Sequence, residues 1–220
     1  MPVLCFLPGL GRLLELVDGP SSRMEETVRS VVLAAGGGVC LGWLLGAAAV
    51  SANPVKSLYT TVELKTCKPM SGHPHGGAWL CEGLSGLAVY VAEGDLRQFL
   101  SVGTNAEKRR AATQTLGAVN SMFDKGSDRA TIEWRFDRRG DKEIPYATIV
   151  RFHTSRDGRK GDVLVVLKVG PADTCHVAYI DALANSDAIA LARHVADTQA
   201  KGFDCRQEPH AEGASGKSPM

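Results

Sequence analysis

The sequence of 220 residues has little charge imbalance, with 25 lysines and arginines against 24 aspartates and glutamates. A formal net charge of +1 supplies no field to hold a polyanion, so nucleic acid is not expected as a partner. Aromatic residues make up only 6%, and they do not alternate with basic residues as a base-stacking surface requires. No repeat occurs at solenoid or propeller spacing. Walker A, Rossmann, His-Glu-x-x-His and EF-hand patterns are absent, which removes the phosphate-, zinc- and calcium-binding classes that depend on them. No Cys-x-x-Cys occurs, so there is no close thiol pair for redox chemistry. Ser85 lies in Glu82-Gly83-Leu84-Ser85-Gly86, which lacks the Gly-x-Ser-x-Gly spacing of a nucleophile elbow.

What the chain does have begins with a leader. Residues Val31 to Ala52 carry no charge and end in Val50-Ser51-Ala52 before Asn53 and Pro54. Small or β-branched residues at those positions suit signal-peptide cleavage after Ala52. The acidic residues among Arg12, Arg23 and Arg29 depart from a basic leader start, and Met24 offers a second candidate start. The alternative is an uncleaved anchor through residues 31–52, since about 20 apolar residues span a bilayer and Gly38, Gly42 and Gly46 recur at a membrane-helix packing interval. The expected location is therefore periplasmic or secreted, or the inner membrane if the leader stays attached. Only in the second case is membrane a partner.

Of six cysteines, Cys5 and Cys40 fall in the leader, and Cys67, Cys81, Cys175 and Cys205 remain. An even number in an exported chain points to two disulfides. Three pairings exist, and the most local is Cys67–Cys81 with Cys175–Cys205. Each bond is expected to contribute about 3 to 4 kcal/mol in the chain-entropy description.

Alternation of apolar and polar residues predicts strands at 57–66, 87–92, 96–103, 130–137, 145–155, 161–169 and 174–180. Gly161 to Val169 is almost continuously apolar, as in a strand covered on both faces. Thr104-Asn105-Ala106-Glu107 has the form of a capping box, predicting a helix from about Asn105 to Val119. A second helix should start near Asn185 or Ser186 and bury Ile189, Ala192, Val195 and Ala196. It should carry Cys205 back to Cys175, beside inward-facing Val177 and Tyr179. Residues 206–220 contain almost no apolar side chains, so they read as a disordered tail. The expectation is a single α+β domain over 53–205: an antiparallel meander, the C-terminal helix on one face and a second short helix.

Candidate chemistry is sparse. His73-Pro74-His75 in a Gly-rich loop is a weak metal-ligand pair, because a stable site needs three or four ligands. Cys67 and Cys81 supply thiolates there only if unpaired. His153, His176 and His194 are scattered over two strands and a helix, and Ser85, His176 and Asp181 are a conceivable triad. Basic clusters at 108–110, 138–139 and 156–160 have acidic neighbours and read as solvated charge.

The runs Val91-Ala92-Glu93-Gly94-Asp95-Leu96-Arg97 and His176 through Asn185 resemble small exported proteins of rhizobium-type bacteria that carry no assigned activity. The resemblance implies an exported bacterial protein and no particular site. The expected function is therefore non-enzymatic, the binding of another envelope component with no cofactor. The alternative is an exported hydrolase or metal-binding protein using His73 and His75 or the strand histidines.

Overall fold

Strand β9 (Arg159–Val169) explains the architecture, because apolar side chains occupy both of its faces. Val163, Val165 and Leu167 point into one core cluster, and Leu164 and Val166 into another. The computed structural model describes residues 56–71 and 76–220. The leader, including residues 31–52, and both His73 and His75 lie outside the described residues.

Among the described residues, two sheets and one α-helix make up three layers. The larger sheet has seven strands: β1 (Lys56–Glu63), β6 (Val119–Ser121), β7 (Arg129–Arg139), β8 (Lys142–Arg156), β9, β10 (Thr174–Asp181) and β11 (His210–Ala211). Its order is β1-β7-β8-β9-β10-β11, with β6 extending the β7 edge of β8. All pairings are antiparallel except β10 with β11. The smaller sheet is antiparallel, in the order β2 (Lys68–Pro69), β3 (Ala78–Glu82), β4 (Ala88–Gly94) and β5 (Arg97–Gly103). The expected meander is thus present in β7 to β10, but the strands divide between two sheets rather than forming one.

Between the sheets lies the main core, where Val89, Val91, Leu100 and Val102 meet Ile132, Trp134, Phe152 and Val165. Trp134 is fully buried, and its indole N–H donates to Thr60 Oγ1 at 2.8 Å. On the outer face of the large sheet lies helix α1 (Ala188–Thr198), packed across β7 to β10. Ala188, Ala192, Val195 and Ala196 form its buried stripe. Ile189 is exposed instead, because the helix begins at Ala188 and that residue takes the first inward position. Among the described residues no helix is long and apolar enough to cross a membrane.

Turn chemistry fixes the β8–β9 register. Asp157 and Gly158 both have positive φ, 51° and 78°, as a two-residue turn of the mirror-image type requires. Both disulfides join the expected partners, with Cα separations of 4.4 Å for Cys67–Cys81 and 5.6 Å for Cys175–Cys205.

Three expectations are corrected. Residues 105–119 form no helix but two 3-10 turns, Ala106–Lys108 and Arg110–Thr113. Asn105 is left-handed and Arg109 extended. Tertiary bonds outweigh helical propensity: Arg109 donates to the carbonyls of Thr104 and Pro171, and Gln114 accepts the His176 N–H. Secondly, a bulge at Val177 shifts the register of β10. Val177 and Ala178 therefore both pack on the α1 side, while Tyr179 packs into the inter-sheet core, not beside Val177.

Thirdly, residues 206–220 are ordered. Ala211 and its neighbour His210 pair with Tyr179 and Ala178, and Arg110 binds Glu208 at 2.7 Å. Lys217 and Ser218 each donate a backbone N–H to Asp181 Oδ2 at 2.8 Å. Arg156 reaches the Met220 carbonyl at 2.7 Å. Polar bonds hold most of this segment, and at its end Pro219 is buried and Met220 packs against the main core. Gly161 admits it, since a Cβ there would lie 2.6 Å from Ser218.

Candidate functional site

Among the described residues, His153, His176 and His194 do not converge. His194 is exposed on α1. His176 is fully buried between the sheets, 2.9 Å from the Tyr179 hydroxyl through Nδ1, and burial pushes its pKa down to about 3. It is a neutral core residue. Ser85 sits exposed in a 3-10 turn, Leu84–Gly86, with φ of 54°. Asp181 has other work: burial favours its neutral form, but the Ser218 hydroxyl and the N–H groups of Ser218, Lys217 and Leu183 hold its carboxyl below the usual range. No hydrogen bond links Ser85, His176 and Asp181 among the described residues.

The metal reading loses its thiolates, because Cys67 and Cys81 are bonded to each other. Among the described residues no group of three or more His, Cys, Asp or Glu could hold a metal ion.

His153 stands differently. It lies on β8 opposite Asp162 of β9 and Ser121 of β6. Residues directly opposite on neighbouring antiparallel strands share a face, so the three form a row, Ser121–His153–Asp162. His153 Nδ1 is 2.6 Å from Asp162 Oδ1. Arg151 approaches the other carboxylate oxygen at 3.7 Å. Ser121 Oγ accepts the Phe123 N–H at 3.1 Å. Behind the row, Asp162 donates its backbone N–H to buried Ser218 Oγ at 3.1 Å, and Ser218 donates to Asp181. The ordered tail thus fixes the strand end that carries Asp162.

This row lines an open groove of about 630 Å³. Its walls are Val119, Phe123 and the loop 124–127 on one side, with Lys160 and Leu183 on the other. Val119 and Leu183 are 43% and 47% exposed, so both walls of the groove present apolar side chains to solvent.

A second hollow, about 530 Å³, lies between β7–β8 and the segment after α1. Most of its charges are paired, Lys201 with Asp137 at 2.7 Å and Arg206 with Asp204 at 2.6 Å, and Lys168 donates to the Phe203 carbonyl. The first groove has both unshielded apolar surface and an accessible imidazole, so it is the stronger candidate.

Of the row, the sequence singled out only His153. Asp162 was detectable as the one acidic residue within the apolar β9 run. Ser121 carried no signal. No protein-family model matches the chain, and neither a curated protein nor a solved structure matches it.

Proposed function

We propose that this is an exported, disulfide-stapled protein that binds an amphiphilic component of the bacterial envelope in the groove over Ser121, His153 and Asp162. The observation that carries the reading is the pairing of exposed Val119 and Leu183 on the groove walls with the His153–Asp162 pair on its floor. Apolar walls with a few convergent polar groups are the usual construction of a small-molecule site. The apolar part of the ligand lies along Val119, Phe123 and Leu183, and its polar head meets His153, Lys125 and Lys160. Two disulfides support an oxidising compartment, as do the leader and the resemblance to exported rhizobial proteins.

A titration of the full chain with a dansylated fatty acid tests this. Saturable fluorescence enhancement is expected, with binding weakened at least about tenfold in Val119→Asp and Leu183→Asp, a loss of about 1.4 kcal/mol. Absence of saturable binding, or wild-type affinity in both variants, rules the groove out.

A further inference from the structure

Resting on that groove, we infer that Ser121, His153 and Asp162 hydrolyse acyl esters whose acyl chain occupies the apolar walls. The case is geometric. The three side chains stand on adjacent strands at one level of one sheet face, and all three line the groove. Cβ atoms of directly opposed residues lie about 4.5 to 5.5 Å apart, within reach of a serine–imidazole contact. Asp162 engages Nδ1 of His153, which places the ring proton there and leaves Nε2 with its lone pair. Ser121 Oγ accepts the Phe123 N–H and donates to no group among the described residues, so its proton is free to pass to Nε2 when the two side chains close on a bound ester. The exposed turn residues Lys125 and Gly126 line the same groove, and neither backbone N–H donates to another backbone group among the described residues. They supply donors for a developing oxyanion.

The reaction balances without a further reagent beyond water. Ser121 Oγ adds to the ester carbonyl carbon while His153 Nε2 takes its proton. The tetrahedral adduct collapses, the bond to the leaving alcohol breaks, and His153 gives that alcohol the proton. Water then adds to the acyl-serine and passes a proton to His153. The fatty acid leaves, and Ser121 recovers its proton from the imidazolium. Asp162 is a positioning residue, acting through the tautomer and orientation of His153.

The probes are a fluorophosphonate and p-nitrophenyl octanoate, applied to the full oxidised chain. Peptide mapping is expected to place the phosphonyl adduct on Ser121. Ser121→Ala and His153→Gln should each lower octanoate-ester turnover by about 10²-fold or more. Asp162→Asn should lower kcat with little change in KM. Ser85→Ala should hydrolyse at the wild-type rate. An unlabelled Ser121 in the wild-type chain, which needs no variant to fold, overturns the inference, as does wild-type turnover in Ser121→Ala. Saturable binding of the dansylated fatty acid without hydrolysis removes the chemistry and leaves the binding reading standing. Loss of both removes both.

Discussion

The two faces of the large sheet bury polar groups in opposite ways. On the face under α1, Arg135 and Glu133 are 5% and 6% exposed and are surrounded by partners. Arg135 donates to both oxygens of Asp197, at 2.9 and 2.6 Å. Arg193 donates to both oxygens of Glu133, at 2.7 and 3.2 Å, and to the Tyr59 hydroxyl. Tyr146 donates to Asp197 at 2.7 Å. On the face toward the small sheet, His176 is just as buried but meets no counter-charge. Its Nε2 has no hydrogen-bond partner among the described residues. Burial therefore holds it neutral, with a pKa near 3. Burial alone does not decide whether a group stays ionised; the number of opposing charges that the fold directs at it does.

The largest break in this comparison should come from Asp197→Ala. The change strips Arg135 of its bidentate partner and leaves a buried guanidinium next to Tyr146. Removing one member of a buried pair costs about 3 to 5 kcal/mol. Asp197 is one-quarter exposed, so a value near 3 kcal/mol is expected in urea unfolding at pH 7. An unchanged midpoint would mean that the network does not anchor α1.

Acid should attack the other face. The folded pKa of His176 is lowered below its unfolded value, so the unfolded chain binds a proton that the folded chain refuses. Its contribution is fully present above about pH 6.5 and is lost as pH falls toward 3, by up to about 1.4 kcal/mol per unit. Between pH 6.5 and 5 the loss is roughly 2 kcal/mol. The variant His176→Gln should lack this part of the slope, and an identical pH dependence in variant and wild type would contradict the assignment. Asp181 adds its own loss only at lower pH, because the unfolded carboxyl takes up its proton at about pH 4 while the folded one, held below the usual range, still refuses it.

The smallest effect is expected from Arg135→Met with Asp197→Leu. Replacing both buried charges with apolar groups is often neutral or stabilising. Unfolding free energy should therefore fall by no more than about 1 kcal/mol, far less than for Asp197→Ala alone. A double variant as damaged as the single one would show that packing, and not the orphaned charge, sets the cost.

These faces also show what the residues reveal before folding. Alternation in Ala130 to Asp137 correctly sends Ile132 and Trp134 into the core. The same alternation assigns Glu133 and Arg135 to solvent, although α1 covers them. Arg193 and Asp197, four apart on one helix face, were the complementary sign. The Cys175–Cys205 pair was legible because strand, helix and stop residue are consecutive. The tail was not, because its order comes from backbone bonds to Asp181 and from Met220 packing on the main core, partners distant in sequence. The candidate row divides in the same way. Asp157-Gly158 sets the hairpin register, and counting three residues back from each strand end beside the turn places His153 opposite Asp162. Ser121 joins β8 only after the long connection through the 3-10 turns, where no local rule fixes pairing. The Asn105–Val119 segment misled for a related reason: its capping signal is local, and its actual partners on β10 and around Pro171 are not.

The Cys175–Cys205 bond closes a covalent ring whose ends are 30 residues apart. That ring contains most of β10 and all of α1. Tension applied to the two ends of the chain therefore passes through the sulfur bridge and bypasses the helix. At roughly 3.3 to 3.6 Å per extended residue, reduction frees about 100 Å of additional contour. While the bridge is intact, the charged pairs under α1 carry none of that tension directly, and the helix can be lost from the sheet but not drawn out of the ring.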